Sequence, residues 1–133
     1  MSLDTAIADA MKAVPECVAC GLVDMSTGML IGVKTVDSHP QEVLDLVAAA
    51  TSDLYQGTNV TAIERLFKKS RGLEDDGLHY FKEIVVLSEN LIHLFVRGGD
   101  QNQVVVMVCR ASANLGMVIT KGRQAVKAIE AAS

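Results

Sequence analysis

QVVVMVCRASANLGMVITKGRQAVKAIEAA, residues Gln103–Ala132, decides the fold. Val104 to Cys109 is a run of six apolar residues, four of them valine. A run so short and so rich in β-branched side chains is a strand, and its lack of polar alternation means that both of its faces are covered. Arg110 to Asn114 is a short polar connection. Beyond it the apolar period changes: Leu115, Val118, Ile119, Gly122, Val126 and Ile129 fall on one stripe of a helix, with Arg123, Gln124, Lys127 and Glu130 off it. A central strand therefore feeds a C-terminal helix that folds back over it.

Working outward, Leu3, Ile7, Met11 and Val14 space a first helix that Pro15 ends. Cys17 to Asp24 and Met29 to Thr35 are strands, joined through Met25-Ser26-Thr27-Gly28, whose glycine suits a positive φ. Gly21 and Gly32 inside them mark close backbone approach or a bulge. Ser38 caps a middle helix with Gln41 at its third position and Pro40 in the first turn, and Gly57 ends or bends that helix. Val43, Val47, Ala50 and Leu54 line one of its faces, while Leu44 and Leu46 carry apolar surface beyond what one sheet face covers. Thr61 and Glu64 frame a second capping box for a shorter helix bearing Ile63, Leu66 and Phe67. After the polar loop 71–77 come two more strands, Tyr80 to Leu87 and Leu91 to Arg97, and the turn Gly98-Gly99-Asp100 leads back to the central strand.

The expected order is thus α-β-β-α-β-β-β-α, with the middle helix open to splitting. Together with Asn114-Leu115-Gly116-Met117-Val118 at the start of the last helix, it resembles the Roadblock family, dynein light chains of the roadblock type. Members include bacterial partners of small polarity GTPases and subunits of eukaryotic GTPase scaffolds. The resemblance covers nearly the whole chain as a pattern. It implies a profilin-like α+β fold: a five-stranded antiparallel sheet with the first and last helices on one face and the middle helix on the other. The stretch from Gln56 to Gly77 is longer than the family's usual link.

Composition bounds the function. A length of 133 residues suits a single domain, 1–133, with a substantial core. Aromatic residues make up 4% and there is no Trp, so the core is aliphatic and base-stacking platforms are lacking. The net charge of −4 opposes binding to a phosphate backbone. Charge is also uneven: residues 1–66 hold three Lys or Arg against nine Asp or Glu, and residues 67–133 hold nine against seven. No apolar run reaches the ~20 residues of a membrane span, and no secretory signal opens the chain. Three cysteines without framework spacing fit a reducing cytoplasm.

Chemistry-bearing constellations are weak. Cys17-Val18-Ala19-Cys20 matches C-x-x-C but lies in a strand, where residues three apart face opposite sides, and Cys109 stands apart from it. These are read as core cysteines. His39, His79 and His93 lack metal-ligand spacing. There is neither a phosphate-binding P-loop nor a nucleophile elbow. The expectation is no catalytic residues, no metal and no cofactor. Lys68, Lys69 and Arg71 followed by Glu74, Asp75 and Asp76 form the densest charge reversal, a solvated loop or a partner-docking patch. Arg65, Arg71, Arg97, Arg110 and Arg123 are candidates for reaching into a partner's nucleotide site.

The reading is a non-enzymatic homodimer that docks on or regulates a small Ras-like GTPase, the GTPase being implied by the resemblance. The dimer is expected through the third strand, an edge in Roadblock-type sheets, using Phe81, Ile84, Val85, Val86 and Leu87, joined by Leu44 and Leu46 of the middle helix. The alternatives are an adaptor light chain of a larger complex, a PAS- or GAF-like ligand sensor, disfavoured because the core reads as solid, and a CxxC redox protein.

Overall fold

In the computed structural model, residues 1–38, 40–72, 81–99 and 102–133 are described. Their order is α1 (Leu3–Ala13), β1 (Cys17–Asp24), β2 (Met29–Thr35), α2 (Gln41–Gln56), α3 (Thr58–Ser70), β3 (Glu83–Leu87), β4 (Leu91–Arg97), β5 (Gln103–Arg110) and α4 (Leu115–Ala132). The five strands form one antiparallel sheet in the order β2-β1-β5-β4-β3. This is the expected architecture, with the middle helix split at Gly57.

The sequence explains why β5 is central. Val104, Val105 and Met107 are fully buried, with alternate residues pointing into two different cores. On one face α1 and α4 pack over Cys20, Leu22, Leu94, Val105, Met107 and Cys109. On the other, Val23, Phe95, Val104 and Val106 meet Ala48 and Tyr55 of α2. Asn114 caps α4, its side chain accepting from the backbone N–H of Met117 at 3.0 Å. The β1–β2 turn is held by Asp24, whose carboxylate accepts from the Ser26 N–H and hydroxyl, with Gly28 at φ +73°.

Two helix starts differ from the sequence reading. α2 begins at Gln41 with Pro40 at the N-cap and no side-chain cap, so Ser38 lies outside the helix. α3 begins at Thr58, directly after Gly57. Thr61 is therefore inside the helix, its hydroxyl donating back to the carbonyls of Gly57 and Thr58 rather than capping. A Cβ on Gly57 would lie 2.7 Å from the Asp53 carbonyl oxygen, so glycine is what permits a one-residue link between the helices. β3 is also shorter than expected: Phe81 and Lys82 precede the strand, and Tyr80 lies outside the described residues.

Candidate functional site

The placement of the cysteines overturns an expectation. The β1–β5 ladder shifts register between Cys17 and Ala19, a bulge that rotates the strand by one residue. Cys17 and Cys20 therefore share the α1/α4 face instead of facing opposite ways. Cys109 is not isolated either, since it is the cross-strand partner of Cys17. Contact with Cys109 holds the Cys17 thiol below its usual pKa, burial pushes Cys20 up to about 12, and the Cys17 contact raises Cys109. All three are free and buried in an aliphatic core. Among the described residues no group of three or more His, Cys, Asp or Glu is placed to hold a metal ion, and no helix is long and apolar enough to cross a membrane.

Between the N-terminal half of α2 and the sheet lies an apolar cleft of about 250 Å³. Leu30, Val33, Val43, Leu44, Val47 and Val108 line it, with His93 at its wall. Packing on this side is thus less solid than the aliphatic composition implied. The cause is visible in α2, which seats its C-terminal half on the sheet through Ala48, Thr51 and Tyr55, small residues that allow close approach and one ring that anchors it. The Tyr55 hydroxyl donates to the carbonyl oxygens of Lys82 and Phe95, each at 2.9 Å. Arg97 stacks over the ring at 4.6 Å and donates to the Tyr55 carbonyl. Burial lowers the Arg97 pKa, opposed by the charges of Tyr55 and Glu64.

The outward surface is where the apolar residues collect. Along α2, Val43, Leu46, Val47 and Leu54 are exposed, Leu46 to 64%. α3 is inverted relative to its sequence stripe: Glu64 (5%) and Lys68 (6%) are buried, whereas Ile63, Leu66 (64%) and Phe67 (50%) are exposed. β3 is an edge of the sheet, as the Roadblock resemblance implied. Val85, Val86 and Leu87 are exposed along it. Phe81 and Ile84 instead pack on the α2-side core. Glu83 anchors β3 to α4, accepting two bonds of 2.7 Å from the Arg123 guanidinium. Of the middle-helix pair, Leu46 faces outward and Leu44 lines the cleft.

The charge reversal is only partly in view. Lys69 and Arg71 are exposed and Lys68 is turned inward, while Glu74, Asp75 and Asp76 lie outside the described residues. His39 and His79 lie outside them as well. Of the arginines singled out, Arg97 is buried under Tyr55 and Arg123 is paired with Glu83; Arg65, Arg71 and Arg110 are exposed. What sequence reasoning missed is the α3 inversion. A helix whose polar residues Glu64 and Lys68 recur at i and i+4 has a polar stripe as regular as its apolar one, and periodicity does not say which faces in; the charge of Glu64 acts on the buried Arg97.

No protein-family model matches the chain, and no curated protein matches it. Solved structures do. The gliding protein MglB from Thermus thermophilus is 21% identical, with TM-score 0.70 over 96% of this chain and 85% of that one. A Roadblock/LC7 domain from Streptomyces avermitilis is 18% identical, with TM-score 0.69 over 98% and 97%. An MglB of tetrameric arrangement is 21% identical, with TM-score 0.68 over 97% and 88%. At this identity the likeness is one of fold: the chain has the Roadblock/LC7 fold, a five-stranded antiparallel sheet between helices.

Proposed function

We propose that this domain is a non-enzymatic, homodimeric docking module that binds or regulates a small Ras-like GTPase. The observation that carries the dimer is the β3 edge. Its outer backbone groups have no strand beside them among the described residues, and Val85, Val86 and Leu87 are exposed along it. An apolar unpaired edge is a template for strand addition. Pairing with its own copy across a two-fold axis satisfies those groups and closes the assembly. Leu46, Val47 and Leu54 of α2 extend the apolar surface beyond the strand. The similar MglB of tetrameric arrangement supports assembly as a use of this fold. The GTPase rests on the Roadblock resemblance alone.

Light scattering of the wild type and of Val85→Pro tests the dimer, since proline deletes a ladder donor and weakens strand pairing. A wild type that stays monomeric at micromolar concentration refutes it. Titration of the protein against purified Ras-like GTPases of the same organism, loaded with GDP or a non-hydrolysable GTP analogue, tests the partner. A dimer that binds none of them in either state favours an adaptor light chain.

A further inference from the structure

Cys17 and Cys109 face each other across the β1–β5 ladder, and both side chains belong to the α1/α4 core. Their pair is of the non-hydrogen-bonded kind. The bond flanking it runs from the Arg110 N–H to the Glu16 carbonyl at 3.1 Å, one residue out on each strand. Opposed residues of that kind hold their Cα atoms about 4.5 Å apart, inside the roughly 4.4–6.8 Å that a disulfide spans. The register shift between Cys17 and Ala19 gives β1 an extra residue at this point, slack with which the two Cβ atoms can draw together. The Ser112 hydroxyl donates to the Glu16 carboxylate at 2.8 Å and ties the same end of the two strands from the far side of β5.

The three thiols differ in reach. Cys17 opens β1 beside the exposed Glu16 and keeps 9% of its surface, whereas Cys109 has none. Cys20 shares their core but opposes Met107. Three residues along a strand advance the chain by about 10 Å, too far for Cys20 to bridge to Cys17, since a disulfide fails beyond roughly 7 Å.

We infer that Cys17 and Cys109 form a site of oxidative modification, closing to a disulfide that ties β1 to β5 when the folded protein meets hydrogen peroxide. The Cys17 thiolate attacks one peroxide oxygen, the O–O bond breaks, and hydroxide leaves a sulfenic acid on Cys17. That hydroxide takes up the proton Cys17 gave up and becomes water. The Cys109 sulfur then attacks the Cys17 sulfur; its proton and the sulfenic hydroxyl leave as a second water. Two thiols lose two electrons and one peroxide gains them. Cys109 needs no solvent access, because its target is its cross-strand neighbour. The contact that holds the Cys17 thiol below its usual pKa favours attack from that sulfur. This site is independent of the docking function proposed above.

Peptide mapping without reductant tests it on the full chain. Folded protein is treated with hydrogen peroxide, then denatured in an alkylating reagent. Two of the three thiols should be lost, with a Cys17–Cys109 cross-linked peptide lighter by two hydrogens and Cys20 alkylated. Dithiothreitol should restore all three. Cys20→Ala should cross-link as the wild type does. In Cys109→Ala the sulfenic acid has no thiol to meet, so Cys17 should be trapped by dimedone and, untrapped, advance to the sulfinic acid. Circular dichroism verifies that each protein is folded before oxidation; where Cys109→Ala is not, the wild-type and Cys20→Ala maps decide. Three thiols intact after peroxide overturn the inference. So do a disulfide through Cys20 or between two chains, and a wild-type Cys17 that reaches the sulfinic acid while Cys109 is still alkylated.

Discussion

Gly122→Ala isolates how closely α4 approaches the sheet. Gly122 is buried in the middle of α4, and a Cβ there would lie 2.6 Å from Leu94 Cδ2 and 3.3 Å from Met107 Cε. Two effects of opposite sign compete. Replacing glycine by alanine inside a helix favours folding by about 1 kcal/mol. Inserting a methyl group into a filled core costs roughly 1–3 kcal/mol. Leu94 and Met107 are both fully buried and have no solvent to retreat into, so the second effect wins. The expected net loss is up to about 2 kcal/mol, or up to several degrees of melting temperature for a chain of this length. Urea unfolding followed by circular dichroism, at one fixed protein concentration because an oligomer's stability depends on it, measures the change. Ala128→Gly, on the exposed side of α4, calibrates the propensity effect and should cost about 1 kcal/mol. Adding Leu94→Ala removes the obstructing methyl groups, so the double variant should be more stable than the two single effects added together. A Gly122→Ala protein about 1 kcal/mol more stable than the wild type would falsify the close approach and with it the seating of α4.

Val106→Asp buries an uncompensated charge beside Phe95 and Tyr55 and should unfold the domain; Gln124→Asp, exposed on α4, should shift the melting temperature little, and equal shifts would contradict the placement of β5 and α4. In native protein at pH 8, Cys20, pushed up to about 12, and Cys109 should resist a thiol reagent until unfolding, when all three thiols react; two fast thiols in the folded state would point to redox chemistry instead. The Arg123 guanidinium holds the Glu83 carboxyl below its ordinary 4.5. Because the folded pKa is the lower one, the stabilisation is present above the unfolded value and lost as pH falls through the folded one. Glu83→Gln should therefore be slightly less stable than wild type at neutral pH and indistinguishable from it in acid, and a gap that persists in acid would rule the pair out as its cause.

What the sequence disclosed tracks how strongly a pattern is forced. β1 and β4 begin and end where apolar runs meet turn residues, because a buried strand tolerates few polar side chains. The α4 stripe was equally plain: Val118, Gly122, Val126 and Ile129 are its buried members. α2 and α3 were harder for a definite reason. Each carries two regular stripes, and periodicity does not say which one turns inward. In α2 the buried set is Ala48, Thr51 and Tyr55, less apolar than the Val43–Val47–Leu54 stripe, which stays part-exposed with Val43 and Val47 at the cleft. In α3 it is the polar stripe, Glu64 and Lys68, that is buried, with the charge of Glu64 acting on Arg97 beneath Tyr55. The Cys17–Cys20 geometry was hidden by a bulge, which no spacing rule anticipates. The exposed apolar surface of β3 was legible, since Val85, Val86 and Leu87 sit on an edge strand, and that of α3 was not, because the helix is turned over.

The β1–β5 ladder has a consequence for the order of events during synthesis. It joins Cys17 to Cys109 and Asp24 to Gln103, so most of the chain lies between the two central strands. On the ribosome, α1, β1 and β2 emerge long before the strand that completes their sheet. Until β5 arrives, Leu22 and Val23 lack the partners that bury them, and closing so long a loop is entropically costly. The sheet therefore joins up last at its middle, and the nascent N-terminal hairpin is the stretch that most needs shielding while translation continues.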